Sequence, residues 1–161
     1  MTEPVTVRRS AYRWERETFP DLEIPLDFLM MKMWATRLTL EFELKNVAFS
    51  YRTASDPAAA GLKGTAKVGF SPWGEKRAII SIFPPYHLRT LGHEVAHAMR
   101  WIRGEKSGHG DGWREDLAMV HGVIRRLIPK LHHSKLNQAD IGRRCIEWNP
   151  YRLNRRMSCP S

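Results

Sequence analysis

Leu91-Gly92-His93-Glu94-Val95-Ala96-His97-Ala98-Met99-Arg100 is the stretch from which the rest of the chain is read. It contains the pattern His-Glu-X-X-His, with histidines at 93 and 97 and a glutamate at 94. On a helix, residues four apart lie one above the other on the same face, about 6 Å apart at Cβ. Two imidazoles so placed can share one Zn²⁺ at roughly 2.0–2.1 Å each. Glu94 edges that face without competing as a ligand, and can take a proton from a water that the metal activates. A chain of this composition contains only about 0.02 such patterns by chance. The bland alternative is a solvated helix that happens to carry the three residues.

The flanks count against the bland alternative. Pro84 and Pro85 predict a helix start, and Gly104, after Arg103, predicts its end. Between them Leu88, Leu91, Val95, Ala98 and Ile102 form an apolar stripe. Tyr86, Thr90, His93, His97 and Trp101 form a second stripe beside it. Such a helix is buried on one side and lines a cleft on the other. Gly92 and Ala96 are small enough to let another element approach.

Upstream, residues 1–20 read as a polar basic arm with Arg8, Arg9, Arg13 and Arg16, and a short helix over 11–18. The Leu- and Met-rich run from Leu26 to about Leu40 predicts a helix whose core face carries Leu26, Met30, Met33 and Trp34. Val47, Phe49 and Tyr51 alternate with smaller or polar residues, as in a strand. Residues 53–64 read as a loop. Residues 65–71 and 76–83 predict a hairpin around Pro72-Trp73-Gly74-Glu75, and the apolar second strand is expected to be central.

Downstream, Glu105–Gly112 is a loop in which glycines flank His109, and Asp111 predicts an N-cap. The helix that follows carries Trp113, Leu117, Val120, Ile124 and Leu127 on one face, and Pro129 is expected to end or kink it. His121 lies beside that stripe and reads as a core histidine. His132 and His133 have no evident partner. The expectation is an α+β domain over 21–134, the basic arm before it, and an Arg-rich tail over 135–161.

A catalytic zinc takes three protein ligands and keeps one position open. A metzincin spacing requires Gly at 100 and His at 103, where this chain has Arg100 and Arg103. Two residues remain for the third ligand, His109 and Glu115. His109 is the stronger, because three histidines are a known catalytic set. Glu115 is explained by the helix dipole, which favours acids in a first turn.

His93-Glu94-Val95-Ala96-His97, followed by Gly108-His109-Gly110 and the aromatic Trp113, resembles the signature of the SprT-like metalloproteases, a family that includes DNA–protein crosslink proteases. The resemblance spans roughly Leu22 to Leu131 and is strongest from Leu91 to Trp113. It implies a zincin-like fold, with a small antiparallel sheet packed against the His-Glu-X-X-His helix and flanking helices. It implies one Zn²⁺ per chain held by His93, His97 and His109, Glu94 as the catalytic residue, and DNA-bound or DNA-crosslinked proteins as substrates. Many bacterial members add a zinc ribbon with paired CxxC motifs; here Cys145 and Cys159 are isolated, so a ribbon is absent. The oxyanion donor is unassigned, with Arg100, Tyr86 and His121 as candidates.

Charge points the same way. Lys and Arg number 26 against 17 acids, a formal net charge of +9. That favours a polyanionic partner, DNA ahead of an anionic membrane. Arg143, Arg144, Arg152, Arg155 and Arg156, interleaved with Trp148 and Tyr151, are the candidate nucleic-acid contacts. No apolar stretch approaches the ~18 residues of a membrane span. The N-terminus lacks an apolar secretory core, and two cysteines make no disulfide framework, so an intracellular setting such as the cytoplasm is expected rather than secretion. Two other readings stand beside this one: a DNA-binding module whose zinc is structural, and a gluzincin-type peptidase with a dedicated substrate and Glu115 as ligand. A structural site has no use for a base at position 94, which weighs against the first.

Overall fold

The computed structural model describes residues 4–51, 63–106 and 108–133. Residues 1–126 form one compact unit and 127–161 a second; of the second, the backbone as far as His133 is helical. The fold is α+β.

Helix α1 runs Val5–Thr18, longer than the 11–18 expected, and belongs to the first compact unit. A 3-10 turn at Pro20–Leu22 leads to strand β1, Pro25–Leu26. Helix α2, Phe28–Glu41, opens on Asp27, whose carboxylate accepts from the Met30 N–H at 2.7 Å. Its buried face is Met31, Trp34, Ala35 and Leu38; of the Leu26, Met30, Met33 and Trp34 expected there, only Trp34 is buried. The helix starts after Leu26, which sits in β1, and the face that meets the core is turned by about one residue.

Strands β2 (Val47–Tyr51), β3 (Gly64–Phe70) and β4 (Lys76–Ile82) form a sheet in the order β2-β4-β3. β4 is central, as its apolar run predicts, and it buries Ala78, Ile80 and Ile82. β3 and β4 form the expected antiparallel hairpin. β2, however, runs parallel to β4, with Val47 opposite Ala78 and Tyr51 opposite Ile82, so the sheet is mixed rather than antiparallel. Alternation in sequence reports the two faces of a strand but not its direction. A strand joined by a tight turn must run antiparallel, whereas β2 has no such tie to β4.

Pro84 and Pro85, joined by a cis peptide bond, do not open the helix. They precede β5, Tyr86–His87, which pairs antiparallel with β1. Tyr86 is therefore a strand residue rather than the first of a helical stripe. Helix α3 begins at Leu88, whose N–H donates to the Ile24 carbonyl at 3.0 Å, and runs to Arg103. Gly104 ends it in the left-handed region at φ 89°, where a side chain is disfavoured. α3 packs on β3 and β4 and is buried continuously from Leu91 to Met99.

Helix α4 runs Asp111–His133. Asp111 is its first residue rather than its cap; the Gly110 carbonyl accepts from the N–H groups of Trp113 and Arg114. Trp113, Leu117, Val120 and Ile124 are fully buried, as their spacing predicts. Pro129 does not end the helix. Proline removes one hydrogen bond, but its fixed φ is itself helical.

Candidate metal centre

His93 and His97 come from the middle of α3, one turn apart, and His109 from the loop that enters α4. Nε2 of His109 lies 3.2 Å from Nε2 of His93 and 3.2 Å from Nε2 of His97. The donor atoms of all three lie within 4.8 Å of one another. Ligands at about 2.0–2.1 Å in a tetrahedron stand about 3.3–3.4 Å apart, close to the two 3.2 Å separations at His109.

Protonation supports the fit. Glu15, on α1, accepts from Nδ1–H of His93 at 2.9 Å. With the proton on Nδ1, His93 presents a bare lone pair at Nε2, turned towards the other two rings. A carboxylate behind a ligating imidazole fixes its tautomer and raises its basicity. The group of three histidines can hold a metal ion. Glu115 is exposed and is not part of that group.

Aromatic packing holds the rings. The buried Trp113 ring lies 4.8, 5.4 and 4.7 Å from the rings of His93, His97 and His109. Tyr12 of α1 stacks on His93 at 5.0 Å and meets His109 edge-on at 5.4 Å. Trp113 is the aromatic that follows the Gly-His-Gly run, and its ring packs against all three imidazoles.

The loop bearing His109 is stapled by charge. Asp116 of α4 accepts from Arg100 and Arg103 of α3. Arg100 also donates to the Lys106 carbonyl at 2.9 Å and pairs with Glu105. Gly110 has an ordinary backbone conformation and open space beside it, so its glycine freedom is not what folds the loop back. The ion pairs do that.

Glu94 is almost buried, and burial pushes its carboxyl up to about 7, against the attraction of His93. A Cβ on Gly64, at the start of β3, would come within 2.8 Å of Glu94 Cγ and 2.9 Å of Thr90 Cγ2. Only glycine lets β3 close on Glu94. Gly92, as its size predicts, admits α4: a Cβ there would be 2.7 Å from His121 Cε1.

Sequence reading missed Glu15, which lies 78 residues before His93. Burial opposes its charge, but the neighbouring imidazoles of His121 and His93 outweigh it and hold the carboxyl down to about 2. His121 is fully buried, 3.5 Å from the second Glu15 oxygen, and burial lowers its pKa. His93 would also be lowered by burial; its bond to Glu15 raises it instead.

A cleft of about 510 Å³ opens between α1, α3 and β3, with Tyr12, Gly64, Thr90, His93 and Glu94 among its lining. None of the three expected oxyanion donors lines it. Arg100 is committed to Asp116 and Glu105, Tyr86 lies in β5 with its ring 6.4 Å from that of Phe28, and His121 is buried behind Glu15.

Arg143, Arg144, Arg152, Arg155 and Arg156, with Trp148, Tyr151, Cys145 and Cys159, lie outside the described residues. Among the described residues no helix is long and apolar enough to cross a membrane. No protein-family model, curated protein or solved structure matches the chain significantly.

Proposed function

We propose that the chain is a zinc metalloendopeptidase of the SprT-like, zincin type, acting on proteins bound or crosslinked to DNA. The observation that carries the reading is the convergence of His93, His97 and His109 beside a buried glutamate at the wall of an open cleft. A bound Zn²⁺ would supply Lewis acidity, polarising a scissile carbonyl and acidifying water. Glu94 takes the proton from the attacking water and returns it to the leaving amine. A carboxyl near 7 suits a group that must do both at neutral pH. Glu15 holds the His93 ring through Nδ1. Tyr12, whose side chain lines the cleft beside His93, offers its phenol to the developing oxyanion. The net charge of +9 and the arginines from Arg143 to Arg156 support the DNA part of the reading.

The test pairs metal content with cleavage of a DNA-binding protein, with and without DNA. Wild type is expected to carry about one zinc per chain and to cleave faster with DNA. Glu94→Gln should keep its zinc and lose ~10²–10⁴-fold of the activity. Undiminished cleavage by Glu94→Gln removes the mechanism, and indifference to DNA removes that part of the substrate class.

A further inference from the structure

The cleft has a wall that the chemistry above does not use. Arg9, Arg13 and Arg16 all line it from α1, and Lys63 lines it just before β3. The spacing of four and three residues puts the arginines on one stripe of the helix. Tyr12 and Glu15 stand on the neighbouring stripe, which turns towards His93. α1 thus presents a cationic edge alongside the residues that meet the metal centre.

These arginines differ from most others in the protein. Arg37, Arg89, Arg100, Arg103, Arg114, Arg125 and Arg126 each pair with a carboxylate. Arg9, Arg13 and Arg16 make no ion pair among the described residues, and all are exposed. The carboxylates in the cleft are drawn inward: Glu15 is buried against His93, and Glu94 is buried beside Gly64 of β3. Like charges gathered at an open cleft with no ion pairs of their own raise the local concentration of anionic ligands.

We propose that this wall selects acidic peptide segments, pairing Asp or Glu side chains of the substrate with Arg9, Arg13 and Arg16 beside the metal centre. The inference rests on the peptidase reading. Guanidinium forks match carboxylates with two parallel hydrogen bonds. A volume of about 510 Å³ lies within the ~300–1,000 Å³ range of ligand-sized pockets, too small for a DNA duplex.

The experiment uses the full chain loaded with zinc and peptides of equal length whose flanks carry Asp/Glu, Ala or Lys. Exposed pairs contribute about 1.5- to 5-fold each, so three predict a preference for the acidic peptide of about 3- to 100-fold in kcat/KM over the neutral one. The preference should shrink as salt rises. The triple variant Arg9→Ala, Arg13→Ala, Arg16→Ala should bring the acidic-to-neutral ratio close to one while metal content stays as in wild type. Replacing the same three by Lys should restore most of the preference. Binding of the same peptides to Glu94→Gln, followed by fluorescence anisotropy, reads the wall without any cleavage. If no peptide is cut yet Glu94→Gln still prefers acidic ones through the arginines, the peptidase reading fails and the acidic selectivity stands. Equal binding of acidic and neutral peptides, or a preference that survives the triple Ala variant, overturns the proposal. So does an arginine-dependent affinity for a single-stranded oligodeoxynucleotide with no discrimination among peptides, which assigns the wall to nucleic acid.

Discussion

Helices α3 and α1 meet at one imidazole ring, that of His93, and are held in the protein by opposite means. α3 is buried without a break from Leu91 to Met99. α1 buries only Ala11 and Glu15. Apolar burial stabilises by about 1.5–3 kcal/mol per large side chain, so α3 is fixed by the core whatever its histidines do. α1 is docked by the Glu15–His93 hydrogen bond and by a few ring contacts, such as Trp14 against Phe19 and Trp113. The lesson is a division of labour. Groups that must not move ride on the buried helix. The carboxylate behind His93 and the ring stacked on it ride on a helix at the rim, where one face can stay open.

The largest expected effect sharpens that contrast on the α3 side. Leu91→Ala removes a fully buried side chain, and should cost about 2–5 kcal/mol of stability in urea unfolding. A loss well under that would mean α3 is not held by its core face. On the α1 side the next effect is on rate. Tyr12→Phe leaves the ring stack on His93 in place and removes the phenol. It should lower kcat by ~10²-fold, the usual cost of losing one oxyanion donor, with zinc content and the unfolding midpoint little changed. A wild-type kcat in Tyr12→Phe takes the phenol out of the reaction. Smallest is the effect on metal affinity. Glu15→Gln keeps the shape and removes the charge behind His93, so zinc should bind ~10–100-fold more weakly in competition with a chelator. Unaltered affinity would reduce Glu15 to a docking contact for α1.

The same contrast explains what could be read from the chain. The ligand pair and Glu94 are legible because helical geometry couples residues one turn apart, and the apolar stripe on α4 is legible for the same reason. Gly104 announces its own left-handed turn. His109 needs more: ligand chemistry and a resemblance single it out in the sequence, and it joins His93 and His97 in a group whose donor atoms lie within 4.8 Å of one another. Glu15 had no local signature, since its partner is 78 residues away and one glutamate among basic residues looks like a solvated charge. The parallel register of β2 was hidden because alternation carries no direction. The buried face of α2 was misread by about one residue, because many apolar side chains around a helix leave its orientation to whatever it packs on.

The staple formed by Asp116 with Arg100 and Arg103 bears on how the gap between the two halves of the motif can vary. It joins α3 to α4 independently of the residues in between. The loop therefore need not be taut to deliver His109, because the helices that bracket it are already fastened together. Lengthening a slack loop costs only about 0.6 kcal/mol for each doubling. An insertion between Lys106 and Gly108 would leave the imidazole where it is, whereas breaking the staple would loosen its anchorage at any length, leaving the buried face of α4 to hold it. Distance along the chain between the Glu-bearing motif and its distant histidine is thus a tolerant quantity here, and the carboxylate at position 116 is the intolerant one.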